Sequence, residues 1–284
     1  MKLQQIILVG TGIVLLGILY FFAPTVPPKK QTAKAADDSN STTQPLAFST
    51  ILQAAKEKLT PAQQAYVSGL ETAVVRGDVK EQQIKVYRQL AGFWQDSVQF
   101  FEPYAYYTAA AAKLENSEKN LTFAARQFLT ALKGSNQPVM KQWMADQARE
   151  LFEKAVALNP ANDSLKVDLG SCYIFGSSAA NPQEVMQGIQ QILEVVRKDS
   201  SNMYAQLMLG IGGVYSGQLD KAIERLNKVT AKEPHNLEAV FMLAEAYERM
   251  GNRPNAIKWY QHGKQYMRNP EMVKEIEAKI KTLK

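Results

Sequence analysis

The chain is 284 residues long, carries a formal net charge of +6 and is 46% hydrophobic. One cysteine, Cys172, rules out an intramolecular disulfide, and His235 and His262 stand 27 residues apart with no cysteine or carboxylate grouping beside them to make a metal site. The basic excess is moderate and is not interleaved with aromatic residues, so neither nucleic acid nor a cofactor is expected.

The first element in chain order is an apolar run, Ile6–Ala23, of 18 residues without a charge. At ~1.5 Å per residue it measures ~27 Å, close to a ~30 Å hydrocarbon core. It ends in Tyr20-Phe21-Phe22-Ala23-Pro24, which is bulky and proline-blocked where a signal-peptide cut needs small residues. Residues 1–23 therefore read as an uncleaved single-pass anchor, with a cleaved signal peptide as the alternative. The five residues before the run suit a signal-anchor that exports the rest of the chain, whereas Lys29, Lys30 and Lys34 against Lys2 favour a cytoplasmic bulk. The exported orientation is the expectation carried forward.

Residues 24–46 shift to Pro, Lys, Ser and Thr without apolar periodicity, the composition of a disordered tether. Its 23 residues span ~25–29 Å if flexible, which keeps the helical region beyond it close to the bilayer. From residue 47 the pattern is helical throughout, and no stretch alternates as a strand would. Residues 47–83 predict N-terminal helices, with Thr60-Pro61 as a cap followed by proline and Gly77 as a stop. Asp78 and Glu81 resemble a capping box for the next helix.

From residue 84 a fixed spacing emerges. Leu209, Gly210, Ala222 and Leu226 return 34 residues later as Leu243, Ala244, Ala256 and Tyr260. Residues 163–202 keep Leu169, Gly170, Tyr173, Gly188, Ile192 and Val195, with six extra residues in the turn at 176–183. Upstream, Ala148, Phe152, Ala155 and Pro160 follow Leu121, Ala124, Ala125 and Phe128, with about eleven extra residues around Gly134–Pro138. A weaker copy at 84–117 uses Tyr87, Leu90, Ala91, Trp94, Tyr107 and Ala110, but has Pro103 at a position that wants Ala. The last stretch, 271–284, places Val273, Ile276, Ile280 and Leu283 on one face, as a capping helix needs.

This pattern resembles the tetratricopeptide repeat, most fully in 163–270 and in degenerate form in 84–162. The resemblance implies an all-α, right-handed α-solenoid of helix pairs, each burying its apolar face against its neighbours. Small residues fall where helices cross most closely, so enlarging Gly210 or Ala222 should overpack a crossing. The family binds protein or peptide partners in a concave groove lined by the first helix of each repeat. Carried across, that groove takes Tyr204, Leu207, Ile211, Val214 and Tyr215 from one repeat. It takes Ser164, Val167, Ser171, Ile174 and Phe175 from the repeat before, and Glu238, Phe241, Glu245, Glu248 and Arg249 from the repeat after. Lys85, Arg88, Lys119 and Arg126 come from the upstream copies. The alternative is that the N-terminal helices at 47–83 cover these apolar residues.

The implied function is a membrane-tethered scaffold that binds a protein or peptide partner, with no small-molecule substrate. No phosphate loop, nucleotide fingerprint or nucleophile–base arrangement is present. The competing reading is an enzyme or regulator with a site built from residues 47–117, rich in Trp94, Phe100, Phe101, Tyr104, Tyr106 and Tyr107.

Overall fold

The computed structural model describes residues 46–76, 79–176 and 181–284. The expected anchor at 1–23, the linker up to residue 45, the stop at Gly77 and the capping Asp78 lie outside the described residues. Among the described residues every regular element is a helix, and none is long and apolar enough to cross a membrane. In chain order they are α1 (Phe48–Lys56), α2 (Pro61–Arg76), α3 (Lys80–Gly92), α4 (Phe101–Glu115) and α5 (Glu118–Gly134). Next come α6 (Pro138–Leu158), α7 (Asp163–Gly176), α8 (Pro182–Lys198), α9 (Met203–Tyr215) and α10 (Leu219–Lys232). The chain ends with α11 (Leu237–Arg249), α12 (Arg253–Lys264) and α13 (Pro270–Leu283).

Local chemistry starts these helices where the sequence marks them. Thr60 and Gln63 bond reciprocally at the head of α2, backbone to side chain in both directions. The side chains of Asn202, Asn236 and Asn252 accept from the backbone N–H three residues on, at 3.0, 3.1 and 3.3 Å. Asn181-Pro182 and Asn269-Pro270 combine a capping oxygen with a proline whose missing N–H costs nothing there. The turns inside two successive pairs are closed by Gly217 and Gly251, at φ +76° and +75°, a backbone region that glycine alone enters without strain.

The helices pack as consecutive antiparallel pairs, α5 with α6, α7 with α8, α9 with α10 and α11 with α12, each pair resting on the next. Small residues set the crossings. A Cβ on Gly188 would stand 2.3 Å from the carbonyl oxygen of Gly170, and one on Gly210 would stand 2.8 Å from Leu226. Gly213 leaves room for the close approach of α10: a Cβ there would meet that of Ala222 at 3.0 Å. The eleven extra residues between α5 and α6 do not form a long loop. They lengthen the helices to 17 and 21 residues and leave only 135–137 as a connection. Helix α13 closes the stack, with Ile280 and Leu283 buried against the last pair.

The odd-numbered helices α5, α7, α9 and α11 also touch one another in succession, whereas the even-numbered ones do not pack closely on each other. The stack therefore curves toward the odd-numbered side. The curvature is tight enough for Lys133 near the end of α5 to reach Glu238 in the first turn of α11, with Nζ 2.7 Å from Oε1.

A main apolar core runs from α4 to α11, and a second, aromatic cluster holds α1 to α4 together. Helix α4 serves both. Ala105, Ala109 and Ala112 face the main core, and Tyr107 faces the aromatic cluster. The N-terminal helices do not cover the middle of the stack: Phe48 of α1 lies flat on Tyr106 with ring centroids 3.4 Å apart, near Trp143 of α6.

Candidate interaction surface on the inner face

The inner face is best traced from the one carboxylate that the apolar run of α7 encloses. Asp168 is completely buried between Val167 and Leu169. A buried carboxylate needs partners, and it has two from neighbouring helices. Arg126 of α5 donates through Nε and Nη2 at 2.9 Å, and the Tyr204 hydroxyl of α9 donates to Oδ1. Burial holds the Asp168 carboxyl above the usual carboxylate range, against the pull of Tyr204 and Arg126. The Tyr204 phenol is pushed up by burial and by the Asp168 charge beside it. Three inner helices are thus tied by one polar cluster, and the Lys133–Glu238 pair ties the fourth.

Exposure divides the residues expected in the groove. Arg126 is half exposed at 52%, with its guanidinium over the closed-in Asp168. Tyr215 is also 52% exposed, its ring edge-on to Phe175 at 5.8 Å. Burial and the Glu245 carboxylate raise its phenol pKa. Glu245 pairs with Arg249 at 2.6 Å, and Arg249 also donates 2.9 Å to the carbonyl of Val214. Tyr215, Glu245 and Arg249 form one accessible group at the C-terminal ends of α9 and α11.

The apolar floor expected between these groups is not exposed. Leu207, Ile211 and Val214 lie in the main core, as do Val167, Ile174 and Phe175, and Ser171 is buried with them. The physical reason is that α9 has α7, α8, α10 and α11 packed around it, so positions that would line a wide groove become helix contacts in a tightly curved stack. Phe241 points elsewhere. Its ring packs against α12, where a Cβ on Gly263 would stand 2.7 Å from it, and it lies near the ring of Tyr260. The absence of a side chain at Gly263 makes room for that ring. Glu248 accepts from the Tyr260 hydroxyl at 2.9 Å and from Lys279 of the capping helix at 2.7 Å. Arg88 pairs with Glu115 in a separate cleft of about 570 Å³ between α3 and α4, with Lys85 beside it.

Three participants were not singled out by the repeat pattern: Asp168, Lys133 and Phe123. Asp168 had a signal, since it is the only charged residue between Lys166 and Glu184. Phe123 is 52% exposed on the same face of α5 as Lys119 and Arg126, an apolar ring at a position that only a helical wheel of α5 reveals. Cys172 is wholly buried and its thiol is pushed up by burial, the state of a small core residue. The aromatics of the N-terminal region are mostly core. Trp94 and Tyr107 are buried, and Phe100, Tyr104 and Tyr106 pack against them. Among the described residues no group of three or more His, Cys, Asp and Glu side chains is placed to hold a metal ion.

Comparison with known proteins places a family on part of the chain. Residues 214–280 match the tetratricopeptide repeat. Solved structures similar to parts of the chain include the MamA protein, at 18% identity, 64% of this chain, 91% of that chain and a TM-score of 0.41. MamA from Desulfovibrio magneticus RS-1, residue 41 to the end, gives 18% identity, 67% of this chain, 96% of that chain and 0.42. YrrB, a TPR protein with an unusual peptide-binding site, gives 15% identity, 75% of this chain, 99% of that chain and 0.40. No curated protein matches the sequence. The matched segment begins at the last two residues of α9 and runs through α10, α11, α12 and most of α13.

Proposed function

We propose that the protein is a membrane-tethered tetratricopeptide-repeat scaffold that holds a protein or peptide partner on its inner face. The observation that carries this reading is the composition of that face. Phe123, Arg126, Tyr215 and Arg249 are accessible and come from three inner helices, with Arg126 and Arg249 held by ion pairs and Tyr215 packed on Phe175. Rigid aromatic and arginine side chains are the anchors protein interfaces use most. The tetratricopeptide match over residues 214–280 supports the same class of work. The apolar run Ile6–Ala23, long enough for a hydrocarbon core, supports the tether.

The test is site-specific photocrosslinking in native membranes from position 215 and position 123, with position 75 on α2 as a control (Val75 is also exposed). A discrete adduct from the first two and none from the third is the expected result. Adducts only from the control would move the binding face elsewhere. A mature N-terminus beginning within residues 24–40, read by mass of the membrane-fraction protein, would remove the tether.

A further inference from the structure

Resting on that reading, we propose that the accessible face of α5 docks an acidic polypeptide segment. Lys119, Arg126 and Lys133 are spaced by seven residues, two helical turns, so their side chains line one face at intervals of ~10 Å. Phe123 and Thr130 lie between them on that face and are exposed. Two of the three cations already hold a carboxylate from another inner helix, Asp168 on Arg126 and Glu238 on Lys133. Lys119 is exposed and has no ion pair among the described residues. The face is therefore built to receive carboxylates, and one of its three positions is unanswered.

The two internal carboxylates differ in how firmly they are held. Asp168 is wholly buried, takes hydrogen bonds from two helices, and stays. Glu238 is 43% exposed and its Lys133 partner 27%, and exposed pairs of this kind contribute little. An incoming carboxylate can take Lys133 from Glu238 at small cost. Arg126 meets Asp168 through Nε and Nη2, which leaves Nη1 for a guest. Phe123 supplies an apolar contact between the first two cations. From Lys119 to Lys133 the helix rises ~21 Å, which matches about six or seven residues of extended chain. The fitting guest is a short extended segment with carboxylates toward both ends and an apolar side chain near its first third.

The experiment uses the full chain in detergent and a dye-labelled peptide about ten residues long, rich in Glu with one Leu, read by fluorescence anisotropy. A Gln-for-Glu version of the peptide and vesicles of anionic lipid are run beside it. The acidic peptide should bind, and binding should weaken as salt is raised. Lys119→Glu and Phe123→Ala should each weaken it about tenfold or more, while Glu238→Gln should strengthen it by freeing Lys133. Both weakening substitutions are at exposed positions, so unchanged thermal unfolding confirms that the fold is intact. Equal binding of the Glu and Gln peptides, or no effect of Lys119→Glu, would overturn the proposal, and binding to the vesicles alone would replace the peptide with a lipid surface. Crosslinks from position 215 to a partner, combined with no binding of the acidic peptide, would retire this inference and leave the scaffold reading standing.

Discussion

The two ends of the described chain solve the same packing problem by different means. From α5 onward helices approach through glycine and alanine, with Gly170 against Gly188 and Gly213 against Ala222. From α1 to α4 they approach through rings: Phe48 on Tyr106, Trp94 beside Phe100 and Phe93, and Tyr87 beside Tyr107. A small-residue crossing fixes one geometry, so it can be repeated, and a period results. A ring cluster fills whatever space is present and leaves no period behind. The backbone shows the same contrast. After Gly92 the chain loosens into a π-type turn over Phe93–Ser97, Gln99 takes φ +56°, and the Phe100 N–H reaches back 2.9 Å to the carbonyl of Trp94. From α5 onward the positive angles among the described residues are those of Gly217 and Gly251, while Asn116, at φ +51°, ends α4.

The strongest way to break the ring-packed end is Trp94→Ala. Trp94 is completely buried at the centre of its cluster, and removal of such a side chain costs about 3–5 kcal/mol. Hydrogen exchange should show the loss concentrated in α1–α4, with α7–α12 still protected. Uniform loss across the chain would mean that the two cores unfold as one. The matching change in the repeats is Gly188→Leu. Because a Cβ there meets backbone rather than a flexible side chain, overpacking should cost at least about 1–3 kcal/mol in urea unfolding. An unchanged midpoint would show that the crossing can spread.

A smaller effect links the two ends. Three phenols, those of buried Tyr107 and Tyr260 and of partly buried Tyr204, each donate to a carboxylate: Tyr107 to Glu71 in the ring-packed end, and Tyr204 to Asp168 and Tyr260 to Glu248 in the repeats. All three are raised above their ordinary value of 10.0, first by burial and then by the charge or hydrogen bond of the acidic neighbour. The folded phenols keep their protons where the unfolded chain loses them. Stability is therefore intact below about pH 10 and falls above it, by up to about 1.4 kcal/mol per pH unit for each phenol. Tyr204→Phe should flatten that alkaline slope, and at neutral pH should cost about 1–3 kcal/mol because Asp168 loses a donor. An unaltered slope would show that Tyr204 ionises freely in the folded state.

The period, the asparagine caps and the close crossings were legible because each depends on residues within one repeat or its neighbour. Gly210 and Ala222 lie where a small residue is needed, and Asn236 caps the helix it precedes. The groove was legible only in part. A motif position states which way a side chain leaves its helix and does not state how sharply the stack curves. With strong curvature Leu207, Ile211 and Val214 became contacts between helices, while Arg126 and Tyr204 met over an aspartate outside the motif. Phe241 was misdirected for a simpler reason: Gly263 leaves a hollow on α12, and the ring fills it. The extra residues near Gly134 were visible as a count, but nothing in the count said that they would extend two helices rather than form a loop.

The bridge from Lys133 to Glu238 also constrains how this architecture can change in length. An open stack of helix pairs tolerates duplication or deletion of a unit, since every unit meets only its neighbours. Here residues 105 positions apart in sequence come within 2.7 Å, so the first and fourth inner helices are in register with one another as well as with their neighbours. One pair inserted between them would carry Glu238 a full step away, and one pair removed would drive the two helices together. A unit gained or lost inside the arc from α5 to α11 forfeits that contact, whereas units added at its outer ends leave it in place.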